Sequence, residues 1–333
     1  MRVKLDGKIK EFRAVWFENG RVKIIDQRAL PERFEIYTAE NCEEVCRAIK
    51  DMVVRGAPAI GATAVYAMAQ AWIQRRDLKE TAELLRKTRP TAFDLFHGIE
   101  IMLSLKEKDV VEAGERYVDS LVENCRKIGI EGSRVIKHKC RILTHCNAGA
   151  LATVDYGTAL APIRIAKEQG KELFVFVDET RPRLQGAKLT SGELTNEGIR
   201  HAIIADNASG YFMQRNEVDI VIVGADRVAS NGDFANKIGT YEKAVLAKEN
   251  GIPFYVAVPS STFDFSIESG KEIPIEERDE NEVLSIDGKR VAPEGASARN
   301  PAFDITPARY VTAFITENGI FKPHKLDRLH GNQ

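Results

Sequence analysis

The sequence predicts an α/β protein with a parallel sheet in its carboxyl part, preceded by a smaller, mainly helical part that begins with a β-hairpin. After Gly132, apolar runs of five to eight residues alternate with helical stretches. Before it, apolar residues fall mostly at helical spacing. Near the start, Asn19-Gly20 separates two β-prone runs, a strong short-range signal for a hairpin. The change in texture places the boundary near residue 130, giving a hairpin-plus-helices domain over 1–130 and a sheet domain over 131–333.

Taken in order, residues 12–17 and 21–25 are the hairpin strands. Asn41, with Glu44 three residues on, resembles a capping box, and Val45, Ile49, Met52 and Val53 continue a helix that ends near Arg55-Gly56. Ala57-Pro58-Ala59 opens a second, small-residue helix to about Gln74, with Pro58 where a missing N–H costs nothing. Its Ala and Gly content predicts close helix packing. Further helices are expected over 78–87, 92–107 and 110–125, with a break at Thr88–Thr91. Strands are then expected over 141–146, 173–178, 202–206, 219–226 and 254–260, with a late one over 311–316. Continuous apolarity with helices between is the mark of a buried parallel sheet. Residues 274–278 and 294–307 read as long loops, and 236–249 as a helix started by Asn236-Lys237.

The chain has 333 residues and is 44% hydrophobic, enough for a substantial core. Forty-eight basic against 49 acidic residues argue against a partner chosen by bulk charge, so neither nucleic acid nor a membrane surface is expected. The five cysteines are odd in number and lack a metal-ligand pattern: Cys42 and Cys46 stand four apart with no matching pair. They are read as packing, no metal is expected, and a reducing cytoplasm is the predicted home. No apolar run approaches the roughly 20 residues that span a bilayer.

Aligned parallel strands would collect Cys146, Asp178-Glu179, Asp206-Asn207, Asp226 and Ser260-Ser261 on one rim, where open sheets bind ligands. A lone cysteine is more often a small buried hydrophobe, and an Asp after a strand is more often a cap. Asp226 stands out because Val221-Ile-Val-Gly-Ala leads a buried strand straight into it, with Gly224 and Ala225 leaving room for a ligand. Apolar surroundings would raise its pKa toward that of a proton donor. Lys237 at a helix start suits one phosphate, and Thr180–Leu189 adds Arg181, Arg183, Lys188 and Gln185. Arg55 and Arg89 stand at helix junctions, where a domain-interface pocket would recruit them to phosphate. Neither G-x-G-x-x-G nor a P-loop is present, so no nucleotide cofactor is expected.

Six ordered segments, residues 54–61, 89–91, 144–153, 178–186, 224–227 and 236–240, resemble those of the methylthioribose-1-phosphate isomerases of methionine salvage. The resemblance covers about residues 50–310, and the wider superfamily includes ribose-1,5-bisphosphate isomerases and regulatory subunits of a translation-initiation exchange factor. At Ala205-Asp206-Asn207-Ala208 this chain differs from the family's usual Thr-Asp-Asn-Met. Carried over by position, the resemblance implies Cys146 and Asp226 as the catalytic pair and Arg55, Gly56, Ala57, Arg89, Gln185, Asn236 and Lys237 as substrate-binding residues. It also implies a Rossmann-like domain behind the helical one, a homodimer, and catalysis without metal or cofactor.

Overall fold

A computed structural model describes residues 1–5, 7–89, 93–105 and 110–330. The expected break at Pro90-Thr91 and the expected helical residues Ala92, Lys106 and Glu107 lie outside these.

The chain begins with a hairpin that its charged sequence hides, β1 (Arg2–Leu5) and β2 (Lys8–Glu11). The expected hairpin follows as β3 (Val15–Glu18) and β4 (Arg21–Ile25), with Glu18 opposite Arg21 around Asn19-Gly20, and β5 (Ile36–Ala39) completes a three-stranded sheet. In α1 (Cys42–Lys50), Asn41 accepts from the Glu44 N–H at 3.0 Å, a cap worth about 1 kcal/mol. The Glu44 carboxylate reaches back to the N–H of Glu40 rather than Asn41, so the box is half made. The helix also stops before Arg55: residues 51–54 form the turn into α2 (Ala57–Ile73). Small residues let α2 bury nearly its whole circumference among α3 (Leu78–Arg86), α4 (Phe93–Ser104) and α5 (Val110–Ser133). The last runs eight residues past the expected end at Cys125 because its apolar stripe serves two cores: Val118 and Leu121 pack with α2, Ile128 with the large sheet.

The sheet's parallel strands are β6 (Cys140–Thr144), β7 (Leu173–Asp178), β8 (His201–Ile204), β9 (Ile220–Val223), β12 (Phe254–Ala257) and β17 (Ala313–Thr316), and the antiparallel β18 (Gly319–Phe321) closes one edge. Their order, β18-β17-β12-β9-β6-β7-β8, is that of a doubly wound fold, in which the direction of winding reverses between β6 and β9. Alternate residues feed separate cores. Leu143, Val221 and Val256 face one with α9 (Ser209–Gln214) and α10 (Thr240–Glu249), while Ile142, Ile222 and Ala257 face one with α5 and α7 (Leu160–Glu168).

A second, four-stranded sheet of β10 (Arg227–Ala229), β11 (Phe234–Lys237), β13 (Phe263–Asp264) and β16 (Phe303–Thr306) lies beyond the large one. It corrects two expectations. Residues 294–307 are not all loop, because 303–306 pair with β11, and Asn236-Lys237 end a strand rather than begin a helix. The helix starts at Thr240, where the Asp304 carboxylate already takes the Gly239 and Tyr241 N–H groups at 2.7 and 3.1 Å, leaving no bare terminus there for an anion.

Candidate active site

Cys146 follows β6 and Asp226 follows β9, the two strands that flank the switch point. Both line one cavity of about 80 Å³, together with Arg55, Gly56, Ala57, Arg89, Gln185, Asn236 and Lys237. All nine residues that the resemblance singled out therefore meet, drawn from six separated segments. Arg278, Met52, His145 and Phe303 complete walls that sequence reading missed. Arg278 came from a stretch read only as loop, and nothing local in it signals a buried cation.

The backbone around Cys146 is tightly specified. Its φ of +63° is the left-handed conformation that side-chain-bearing residues seldom adopt. Thr180 Oγ1 accepts its N–H at 2.8 Å, and Thr190 Oγ1 donates to its carbonyl at 2.7 Å, so neighbours hold what the local chain disfavours. Gly56 is required for closeness: at φ +91°, an added Cβ would lie 2.3 Å from the Ala152 carbonyl oxygen. As the residue before α2 it also leaves that helix without a side-chain cap, and Gly56 and Ala57 line the cavity at the helix start, a favourable end for an anion. Gly224 serves differently from the expectation. A Cβ there would meet Ala148 Cβ at 2.9 Å, so its smallness admits Ala148, itself a cavity wall, rather than ligand directly.

Four cations gather here. Arg55 is buried and spends both terminal nitrogens on Asn147, Nη1 on the main-chain carbonyl at 2.9 Å and Nη2 on Oδ1, which leaves Nε without a partner. Arg89 contacts Glu276 at 3.3 Å, and its Nε is likewise unpartnered among the described residues. Lys237 donates to the Ala302 carbonyl at 2.9 Å over the Phe303 ring. Arg278 has only the Met52 sulfur at 2.7 Å and more distant carboxylates, Glu282 at 3.4 Å and Glu276 at 3.9 Å. Gln185 Oε1 adds a buried acceptor with no donor.

Burial sets the protonation chemistry. It pushes the Cys146 thiol up, against the pull of Arg55 and Lys237. It raises the Asp226 carboxyl, opposed by Lys237, Arg89 and Arg55. Asp226 keeps some surface, and that surface opens on the cavity. Burial also lowers the Lys237 ammonium. The site thus offers a carboxylic acid and a thiol inside a ring of positive charge.

The other acids of the rim do not join them. Asp178 accepts from Ser209 at 2.7 Å, lies 2.9 Å from His145 Nδ1 and faces Lys243 at 3.8 Å, while His145 Nε2 donates to the Ile238 carbonyl at 2.8 Å. Asp206 accepts the N–H groups of Thr180 and Arg181, both at 2.6 Å. His145, Asp178 and Asp206 have ligand atoms within 4.8 Å of one another, but the buried Lys243 ammonium supplies the positive charge there. Ser260 donates to Glu317. Of the loop cations, Arg181 donates to carbonyls at 282 and 283, Arg183 pairs with Glu282 and Lys188 with Asp287. Among the described residues no helix is long and apolar enough to cross a membrane.

Residues 53–323 match the Initiation factor 2 subunit family. The chain belongs to that family. A member from Acetivibrio thermocellus, named methylthioribose-1-phosphate isomerase, is 50% identical over 92% of this chain and 95% of its own. One from Methanocaldococcus jannaschii, named putative methylthioribose-1-phosphate isomerase, is 50% identical over 95% and 97%. Among solved family structures, 5-methylthioribose 1-phosphate isomerase from Pyrococcus horikoshii superposes with a TM-score of 0.89 at 41% identity, covering 97% of each chain. A structure from A. fulgidus described as translation initiation factor eIF-2B, subunit delta, gives 0.84 at 42% identity, covering 96% of this chain and 99% of that one.

Proposed function

We infer that this protein is an aldose-ketose isomerase that converts 5-methylthioribose 1-phosphate to 5-methylthioribulose 1-phosphate, a step of methionine salvage. The observation that carries the reading is the convergence of Cys146, Asp226 and four cations in one cavity, in a chain half identical to relatives of that name. A phosphate on the anomeric oxygen prevents spontaneous ring opening, so an acid must protonate the ring oxygen as its bond to the anomeric carbon breaks. In our reading Asp226, whose carboxyl burial raises against the pull of Lys237, Arg89 and Arg55, is that acid. The anomeric carbon, left cationic by that break, takes hydrogen with its electron pair from the neighbouring carbon beside Cys146, and the hydroxyl on that neighbour returns its proton to the Asp226 carboxylate as it becomes the ketone. A buried thiol kept protonated suits closing off and shaping this step better than acting as a free thiolate base. Arg55, Arg89, Lys237, Asn236, Gln185 and the N–H groups at Gly56-Ala57 are the proposed substrate grip.

Ribose 1,5-bisphosphate is disfavoured by what lies next to Asp226. Next to it lies a compartment of about 50 Å³ lined by Ile60, Phe93, Ile273 and Pro274 together with Arg89, Asp226 and Arg227, and its apolar side suits a methylthio group. Arg227 in that wall is already paired with Asp264. The proposal includes a division of labour near residue 130, with Arg55, Gly56, Ala57 and Arg89 supplied by the first part and the remaining residues by the second. It also includes a homodimer in the cytoplasm, in line with the family resemblance and five free cysteines.

The test is turnover of both sugars by purified protein, followed by NMR of the anomeric carbon. Ketose formation from the methylthio substrate at least tenfold faster than from the bisphosphate is expected. No turnover of either, with tight binding to an initiation factor, would instead favour the regulatory reading suggested by the A. fulgidus relative.

A further inference from the structure

One buried acid beside the site has no part in the chemistry above. Glu193, on α8 (Ser191–Asn196), is 5% exposed and lies outside the cavity wall. Among the described residues each of its hydrogen-bonding neighbours is a donor: Asn147 Nδ2 at 2.9 Å, the Ala150 N–H at 2.8 Å and the Leu151 N–H at 3.3 Å. The second Asn147 amide hydrogen goes to Thr190 Oγ1 at 3.1 Å, whose own proton is committed to the Cys146 carbonyl. Asn147 Oδ1 is left facing Arg55, where it and the main-chain carbonyl occupy both terminal guanidinium nitrogens.

A primary amide has nearly the same shape in either orientation, so its neighbours decide which end is which. Burial raises the Glu193 carboxyl, opposed by the donors from Asn147, Ala150 and Leu151 and by Arg164, and in the ionised form that those donors favour it only accepts. With Glu193 behind it, Asn147 must turn its NH₂ inward and its oxygen to Arg55. Reversed, the amide would set donor against donor. We propose that Glu193 is a positioning residue for Arg55, acting through Asn147 so that the guanidinium is fixed with its unpartnered Nε left for the ligand anion. This rests on reading Arg55 as a ligand-binding cation and adds the residue that aims it.

Glu193→Gln preserves size but turns one of the two accepting oxygens into an NH₂, which must face either Asn147 Nδ2 and the Leu151 N–H or the Ala150 N–H, so the acceptor-only group that fixes the Asn147 amide is lost. The exchange variant Asn147→Asp/Glu193→Gln puts the acceptor-only group against Arg55 and a donor behind it at the same net charge, giving up only the hydrogen bond from residue 147 to Thr190. Calorimetric titration with inorganic phosphate reads the result in wild type, E193Q, R55K, E193Q/R55K and the exchange variant. Loss of a well-aimed charged hydrogen bond predicts about tenfold weaker phosphate binding in E193Q. Little further loss is expected when E193Q is added to R55K, together with recovery to within about threefold of wild type in the exchange variant. Three results would overturn the proposal: wild-type affinity in E193Q, losses that multiply in the R55K background, or no phosphate binding by wild type. Should E193Q lose its cooperative melt, the exchange variant decides alone, and a folded exchange variant that still binds about tenfold more weakly overturns the proposal. Turnover of methylthioribose 1-phosphate by the same wild-type sample tests the isomerase reading separately, since the phosphate pattern does not depend on it.

Discussion

Two buried polar clusters adjoin at His145-Cys146 on the same end of the sheet, and they are built on opposite terms. Around Asp178 each charged group is met: Ser209, His145 and Lys243 surround it, and Lys243 in turn donates to the Asp206 carbonyl at 2.7 Å. Around Asp226 the pairing stays open, with Arg55 Nε, Arg89 Nε and Gln185 Oε1 buried and unpartnered among the described residues. Buried polar atoms are ordinarily paired, and leaving one unpaired costs about 1–3 kcal/mol. The first cluster fastens strand ends together. The second carries unmet donors and an acceptor that a phosphorylated sugar would satisfy. An acid on the rim is thus assigned to fold or to chemistry by what its neighbours lack, not by its place after a strand.

The largest effect should come from the open cluster. Asp226→Asn removes the proposed proton donor, so kcat/KM should fall by about 10²- to 10⁴-fold. The melting temperature should hold or rise, because burial disfavours the ionised carboxyl. The wild-type rate should be steady at low pH and decline as pH rises through the raised pKa of Asp226, since the protonated form is the active one. Full turnover by the asparagine variant would sink the assignment.

The satisfied cluster should respond the other way. Lys243→Met leaves Asp178 without its buried cation, and breaking a buried pair from one side typically costs about 3–5 kcal/mol of stability. Urea unfolding should register that loss, while the folded variant keeps kcat within about tenfold of the parent, against the far larger catalytic loss expected for the proton donor. A stable but inactive Lys243→Met protein would erase the distinction between the clusters.

Much of this arrangement was legible because burial leaves simple patterns. Strands closed on both faces must be apolar throughout, so β6, β7, β9 and β12 announced themselves, and their common direction brought Cys146 and Asp226 together. The hairpin over residues 2–11 was not legible because its exposed strand, Lys8–Glu11, has no apolar face. Arg278 and Glu193 were missed for another reason. Each matters only through partners far along the chain, Met52 in one case and Asn147 in the other, and a sequence does not mark such pairs. The reading of Lys237 erred because an apolar run ending in Asn-Lys just before a helix looks like the helix's first turn. Its pairing with Phe303 in β16 is what makes it strand.

Asp94 offers the finest test, because it has an orphaned oxygen yet does not line the cavity. It sits in α4, 3% exposed, with Oδ2 unpartnered among the described residues and its pKa raised to about 7, first by burial and then by Asp226 when that carboxyl is ionised. A carboxyl bound to its proton more tightly when folded than when unfolded stabilises the fold at low pH. That contribution is complete below the unfolded value near 3.8 and is lost as pH rises through about 7. Asp94→Asn removes the titration while keeping the shape. The variant should therefore gain on the parent by about 1–1.5 kcal/mol between pH 6 and pH 8, with little further gain above that, as read from paired urea curves. Because the comparison is a difference, other titrating groups largely cancel. Near-normal kcat in the variant would show that an unmet polar atom marks this site only where it faces the cavity. A collapse of kcat without loss of stability would instead extend the open cluster to Asp94 and make it part of the proton path to Asp226.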